Sequence, residues 1–155
     1  MKITCQGDSH WVFHMGHWEM GQFMELLNLY PRVPPAHHVL TRREKEHPSL
    51  ESGQALLDEA LAEQRAQCKQ QVAALLADPR RLTHTEEGGR LSLSSAEVEW
   101  VLQVLNDIRV GSWIILGSPE ERLPELNDTN APHVWAMEMA GHFQAQLLEA
   151  LQGET

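Results

Sequence analysis

The chain has 155 residues, 42% of them apolar and 22% charged, and a formal net charge of -10. That length and balance fit a single domain, 1-155, with a continuous core, and they exclude wholesale disorder. Residues 94–155 hold ten acids against only Arg109 and Arg122, a surface that repels phosphate backbones, so no nucleic-acid partner is expected.

In chain order, Lys2 to Gln6 and Ser9 to Met15 are β-prone around Gly7-Asp8, a two-residue turn signal. That register places Ile3, Cys5, Val12, His10 and His14 on one face and Trp11 and Phe13 on the other. A helix is expected from about His17 to Tyr30, where Trp18, Phe23, Leu26, Leu27 and Tyr30 form a stripe that Pro31 stops. Residues 31-48 read as an internal linker loop, with Thr41-Arg42-Arg43-Glu44 in capping-box form. A second helix opens near Ser49 and ends at Asp78-Pro79, with Leu50, Leu57, Leu61, Cys68, Val72, Leu75 and Leu76 at helical spacing. At about 43 Å it must run the length of the domain or enter an oligomer interface.

Residues 82–93 read as a second hairpin around Glu87-Gly88-Gly89, with Leu82 and His84 facing Leu91 and Leu93. Ser94 and Glu97 form a capping box that opens a third helix, running to Leu116 with Gly117 as its stop. This helix is apolar over most of its surface and is the expected centre of the core. After an acidic loop, Thr129 or Asn130 caps a last helix with Pro132 in its first turn and Trp135, Met139, Phe143, Leu147 and Leu151 as its stripe. The expected fold class is mainly α: a bundle of about four helices with two small β-hairpins, one N-terminal and one before the third helix. The five tryptophans are expected to knit its core.

Candidate chemistry concentrates in Asn106-Asp107-Ile108-Arg109, polar residues inside the most apolar helix. Neighbours one and two apart do not face each other, so this is no ready-made catalytic pair. A buried Arg109 needs a carboxylate, for which Glu138 and Asp58 are candidates. A structural polar network of Asn106, Asp107, Arg109 and Glu138 is the preferred reading over a pocket serving a ligand or a reaction. His10, His14 and His17 cluster near two tryptophans, but His10 and His14 lie about 13 Å apart along a strand and no HExxH or CxxC accompanies them, so no metal is assigned. His37-His38 point opposite ways in an extended loop.

Cys5 and Cys68 have no pairing rhythm and read as reduced thiols. There is no signal-peptide pattern, and the longest apolar run, Trp113 to Leu116, is far too short for a membrane span. A cytoplasmic location with no membrane partner is the expectation. No GxSxG, phosphate loop or Walker-type lysine is present, and no cofactor is assigned.

The run Leu105-Asn106-Asp107-Ile108-Arg109-Val110, closing at Leu116-Gly117, resembles a bacterial helical family, domain of unknown function two-thousand-and-seventeen. Trp135 and Phe143-Gln144 before Leu147 are similar to that family's aromatic C-terminal helix. The resemblance covers 94–151 and extends to 17–30. It implies a small helical protein with no activity to carry over, and a regulatory or proteolysis-linked setting, since in some actinobacteria such genes sit beside the Clp protease adaptor. A transcriptional-regulator label attached to some relatives sits badly with the acidic helices. The functional expectation is a non-catalytic protein-interaction or regulatory module, homo-oligomeric and open to a protein partner. A small-ligand protein or enzyme around Asp107 and Arg109 is the alternative.

Overall fold

The computed structural model describes residues 1–7, 9–34 and 48–153, and for 48–52 the backbone alone. The elements are β1 (Lys2–Cys5), β2 (His10–Gly16), α1 (His17–Leu27), α2 (Pro48–Ala77), β3 (Leu82–Thr85), β4 (Gly88–Ser94), α3 (Ser95–Ile115) and α4 (Ala131–Gln152). His37-His38, Thr41 to Glu44 and most of the expected linker lie outside the described residues.

The expected helical bundle with two separate hairpins is corrected. The hairpins join through β2 and β4 into one antiparallel four-stranded sheet of order β1-β2-β4-β3, and a bundle of the four helices is not what forms. An isolated two-stranded hairpin is marginal in water. Pairing His10 with Ser94 and Gly16 with Gly88 aligns Trp11, Phe13 and Met15 beside Leu91 and Leu93 on one face. Those five side chains are buried with Leu82, and the core continues through Met20, Phe23, Leu26 and Leu27 of α1. Val98, Val101, Val104, Leu105 and Ile108 of α3 and Ala136, Ala140, Phe143 and Leu147 of α4 complete it. Phe23 and Phe143 meet edge to face at 5.2 Å between ring centres.

The N-terminal register is one residue from the expected one. Ile3 faces Phe13 and Cys5 faces Trp11, so Ile3 and Cys5 join the aromatic face, while His10, Val12 and His14 take the other. The slip lengthens the turn by one residue, with Gly7 at φ +75° and the Gln6 N–H donating to His10 O at 2.8 Å. Exchanging every side chain between faces is what a single step does to a strand, and this pairing packs Ile3 and Cys5 against the core beside Trp11 and Phe13.

The second turn also moves. Thr85 pairs with Gly88, leaving Glu86-Glu87 as the turn and His84 opposite Gly89. Both glycines serve packing. A Cβ on Gly88 would meet Gly16 Cα at 2.7 Å, and one on Gly89 would meet Met20 Cε at 2.7 Å.

Helix limits follow the caps. α1 ends three residues before Tyr30, where the Leu29 and Tyr30 N–H groups turn to Leu26 and Leu27 carbonyls. The Ser94–Glu97 capping box forms as expected. Asn130 precedes α4, but its side chain accepts from the Asn127 N–H and donates to Glu125 O, tying the loop instead of capping the helix. Of the tryptophans, Trp11 lies in the core and the partly buried Trp100 and Trp135 pack against it, whereas Trp18 is 67% exposed and Trp113 36%. The core of α3 ends at Ser112, and Ile115 beyond it is exposed.

Candidate functional site

Helix α3 carries the candidate residues, and its 3.6-residue turn sends them to different surroundings. Asp107 is half-buried. Its Oδ1 accepts from the Arg32 N–H at 2.7 Å and the Val33 N–H at 3.4 Å. One turn on, Gly111 leaves the room this approach needs, since a Cβ there would lie 2.5 Å from Arg32 Cβ and 2.5 Å from Val33 N. The same short segment is held from two further sides. Arg65 Nη2 of α2 donates to Val33 O at 2.6 Å, and Arg32 Nη2 reaches His133 Nδ1 of α4 at 2.6 Å. Burial pulls the Arg32 guanidinium below its ordinary pKa. With His133 Nδ1 accepting, the ring proton belongs on Nε2.

Asp107 borders a cleft of about 310 Å³ between α2 and α3, together with Tyr30, Arg65, Cys68 and Trp100. The Trp100 indole N–H donates to Cys68 Sγ at 3.0 Å. Burial first, then the Cys68 thiol and the Asp107 charge, hold the Tyr30 phenol above its usual pKa. The groups that would do chemistry here are engaged with one another or with the backbone.

Arg109 is exposed, which corrects the expectation of a buried guanidinium needing a carboxylate. Roughly 200° separates it from Asp107 around the helix, so the two do not share a pocket. Its Nη2 donates to Asn106 Oδ1 at 3.2 Å, and among the described residues it forms no ion pair. It borders a different hollow, an open groove of about 690 Å³ between α3 and α4, with Val110, Trp113, Met137, Gly141 and Glu138. The expected four-residue network therefore divides. Asn106 and Arg109 pair on the surface, Glu138 shares the groove with Arg109 without an ion pair to it, and Asp107 belongs to the other side. Asp58 hydrogen-bonds Gln54 within α2, at 2.8 Å, and not Arg109.

The N-terminal histidines do not converge. His14 Nε2 lies 3.4 Å from Thr4 Oγ1 on the sheet, and His17 Nε2 lies 2.8 Å from Glu86 O at the β3–β4 turn. Among the described residues no group of three or more His, Cys, Asp or Glu is placed to hold a metal ion. No helix among them is long and apolar enough to cross a membrane.

Sequence reading missed Gly111, Arg32 and Arg65. A glycine inside a largely apolar helix, four residues before its end, was the available signal for a close approach. Nothing local marked Arg32 or Arg65, whose partners lie at 107, 133 and 33. Comparison with protein-family models, curated proteins and solved structures gives no match.

Proposed function

We propose that this protein is a non-catalytic, cytoplasmic interaction module that self-associates and presents helical surfaces to a protein partner. The observation that carries the reading is the state of α2. This helix has 30 residues, yet among its described side chains, those from residue 53 on, the contribution to the core is Cys68, Val72, Leu75 and Leu76, all in its last third. Toward its N-terminal end Leu56 is 67% exposed. An anchor of about two and a half turns with about 30 Å of helix running beyond it presents a surface for another chain.

Asp107 Oδ1 accepts from two backbone N–H groups, a task in holding the 32–33 segment that accounts for a carboxylate at this position and supports the non-catalytic reading over an active site. The Leu-Asn-Asp-x-Arg-apolar segment, which resembles that of the family of unknown function named above, is compatible with a regulatory role. In this fold the segment supplies a structural clamp at Asp107 and an open cation at Arg109. Light scattering at micromolar concentration should give a mass above the 17.6 kDa of one chain. A monomer across the accessible concentration range would overturn the self-association on which this reading depends.

A further inference from the structure

Among the described residues, two surfaces of this chain lack a partner, and each has what the other needs. The first is the outward face of α2 over residues 56–63. Leu56, Glu59, Ala60 and Glu63 recur there at three- and four-residue spacing and all four are exposed. Residues 51–64 include Glu51, Asp58, Glu59 and Glu63 and no lysine or arginine. The second is the α3–α4 groove. Val110, Trp113 and Met137 give it apolar walls, and Arg109 stands on the α3 side without a carboxylate. The Trp113 indole is held in place by its N–H donating to Pro119 O at 3.0 Å.

We infer that residues 56–63 of α2 dock in the α3–α4 groove of a second copy of this chain, with Leu56 against Trp113 and Met137 and the Glu59/Glu63 edge toward Arg109. This rests on the self-association proposed above and names its surfaces. Gly141 lies in the groove and Ala60 one turn from Leu56, so the two backbones can approach closely, as small residues permit where helices cross. Burying the apolar side chains supplies the non-directional attraction. The guanidinium fixes direction, since it can take a carboxylate in a two-pronged hydrogen bond. Glu138, on the α4 wall, repels the acidic edge and so favours its placement on the α3 side.

The contact cannot close within one copy. Trp100, Val104 and Asp107 turn toward the chain's own α2, where they share a cleft with Leu61, Arg65 and Cys68. Arg109 lies roughly 200° away around α3. A helix on the first side does not reach a groove on the second. Between two copies the arrangement is reciprocal: each supplies one helix and one groove, the self-complementary pattern of a two-fold dimer.

Charge reversal and mixing test this on the full chain. Leu56→Glu and Arg109→Glu each alter an exposed side chain, and an unchanged melting midpoint will confirm that both variants fold. Each should weaken self-association at least tenfold, read as the concentration at which the light-scattering mass halves. Glu59→Arg with Glu63→Arg should weaken it similarly. Mixing that variant one to one with Arg109→Glu should restore dimers, because both reciprocal contacts then regain opposite charges. If the unaltered chain is a monomer throughout, the self-association reading fails and the docking falls with it. If it associates but neither Leu56→Glu nor Arg109→Glu shifts the curve, self-association stands and the docking is overturned. Sensitivity to Leu56→Glu alone, with no recovery on mixing, overturns the groove as the seat of α2.

Discussion

Asp107 and Arg109 stand two residues apart on one helix, and their surroundings predict opposite responses to removal. Asp107→Ala takes the acceptor from the Arg32 and Val33 N–H groups. Leaving partly buried donors unsatisfied costs about 1–3 kcal/mol, so a clear fall in denaturation midpoint is expected. Arg109→Met removes one hydrogen bond to an exposed asparagine and should leave stability within about 0.5 kcal/mol. A large loss for Arg109→Met would show that the guanidinium is structural after all. Glu97 gives a pH-dependent case. Burial raises its pKa, but the Ser94 backbone N–H, the Arg81 guanidinium and the Ser94 hydroxyl outweigh that and leave it lowered. A carboxyl that titrates lower when folded contributes fully above its unfolded value, near pH ~4.3, and loses that contribution as pH falls through the folded value. Glu97→Gln should therefore be less stable than the unaltered chain at pH 7, and the difference should shrink below pH ~4. Ser94→Ala, which removes the other half of the same cap, should cost about 1 kcal/mol at pH 7. Equal destabilisation by Glu97→Gln across that whole range would contradict the assigned charge interaction.

Within the helices, what the sequence made legible was what depends on near neighbours. The Ser94–Glu97 box, the limits of α2 and the stripe of α4 all arise from contacts within a turn or two, and all appear where periodicity and capping place them. The strand registers depend on partners across the sheet, and there local signals failed. Gly7-Asp8 suggested a two-residue turn, but placing Ile3 and Cys5 against the core beside Trp11 and Phe13 takes one more residue. Gly88-Gly89 suggested a turn, but their missing side chains make room for the β2–α1 junction. Glycine inside a helix carries the same ambiguity, and the structure resolves it in opposite directions at two positions. Gly21 of α1 has nothing within 4 Å of an added Cβ, whereas Gly111 of α3 faces the backbone of Arg32 and Val33. Gly21→Ala should therefore stabilise the protein by about 0.4–1 kcal/mol through helix propensity and a less flexible unfolded chain. Gly111→Ala should destabilise it by about 1–3 kcal/mol, as overpacking does, despite the same gain in propensity. Thermal melts of the two variants check both signs, and a stabilised Gly111→Ala would mean that the 30–33 segment does not press on α3 as described.

Across the whole molecule, the join between hairpins decides the architecture, and it connects His10 to Ser94. No window of a dozen residues contains both partners, which is why two separate hairpins are the natural reading of the sequence alone. The candidate site divides for a related reason. Asp107 and Arg109 looked like one constellation in sequence, but a helix turns neighbours away from each other and its partners come from 32–33 on one side and from α4 on the other. The join also predicts where stability resides. β2 and β4 lie in the middle of the sheet, and their buried face meets α1, α3 and α4 in the continuous core. Opening any one of these elements exposes apolar surface belonging to the others, so their amides should exchange only when the whole fold opens. The first half of α2 contributes no buried side chain among its described residues: Ala55, Leu56, Glu59, Ala60, Ala62 and Glu63 are exposed and Leu57 and Leu61 only partly buried, and its helical hydrogen bonds can open without disturbing the core. Hydrogen exchange on dilute protein should therefore show slow amides in β2, β4 and α3 from Val101 to Ile108. In α2 it should show a step, fast before about residue 64 and slower from Cys68 onward. Raising the protein concentration should slow the fast segment and leave the core rates unchanged, because association covers only that part of the helix. Uniform protection along α2 in dilute solution would mean that its N-terminal half is covered within a single copy, leaving no free surface for a second.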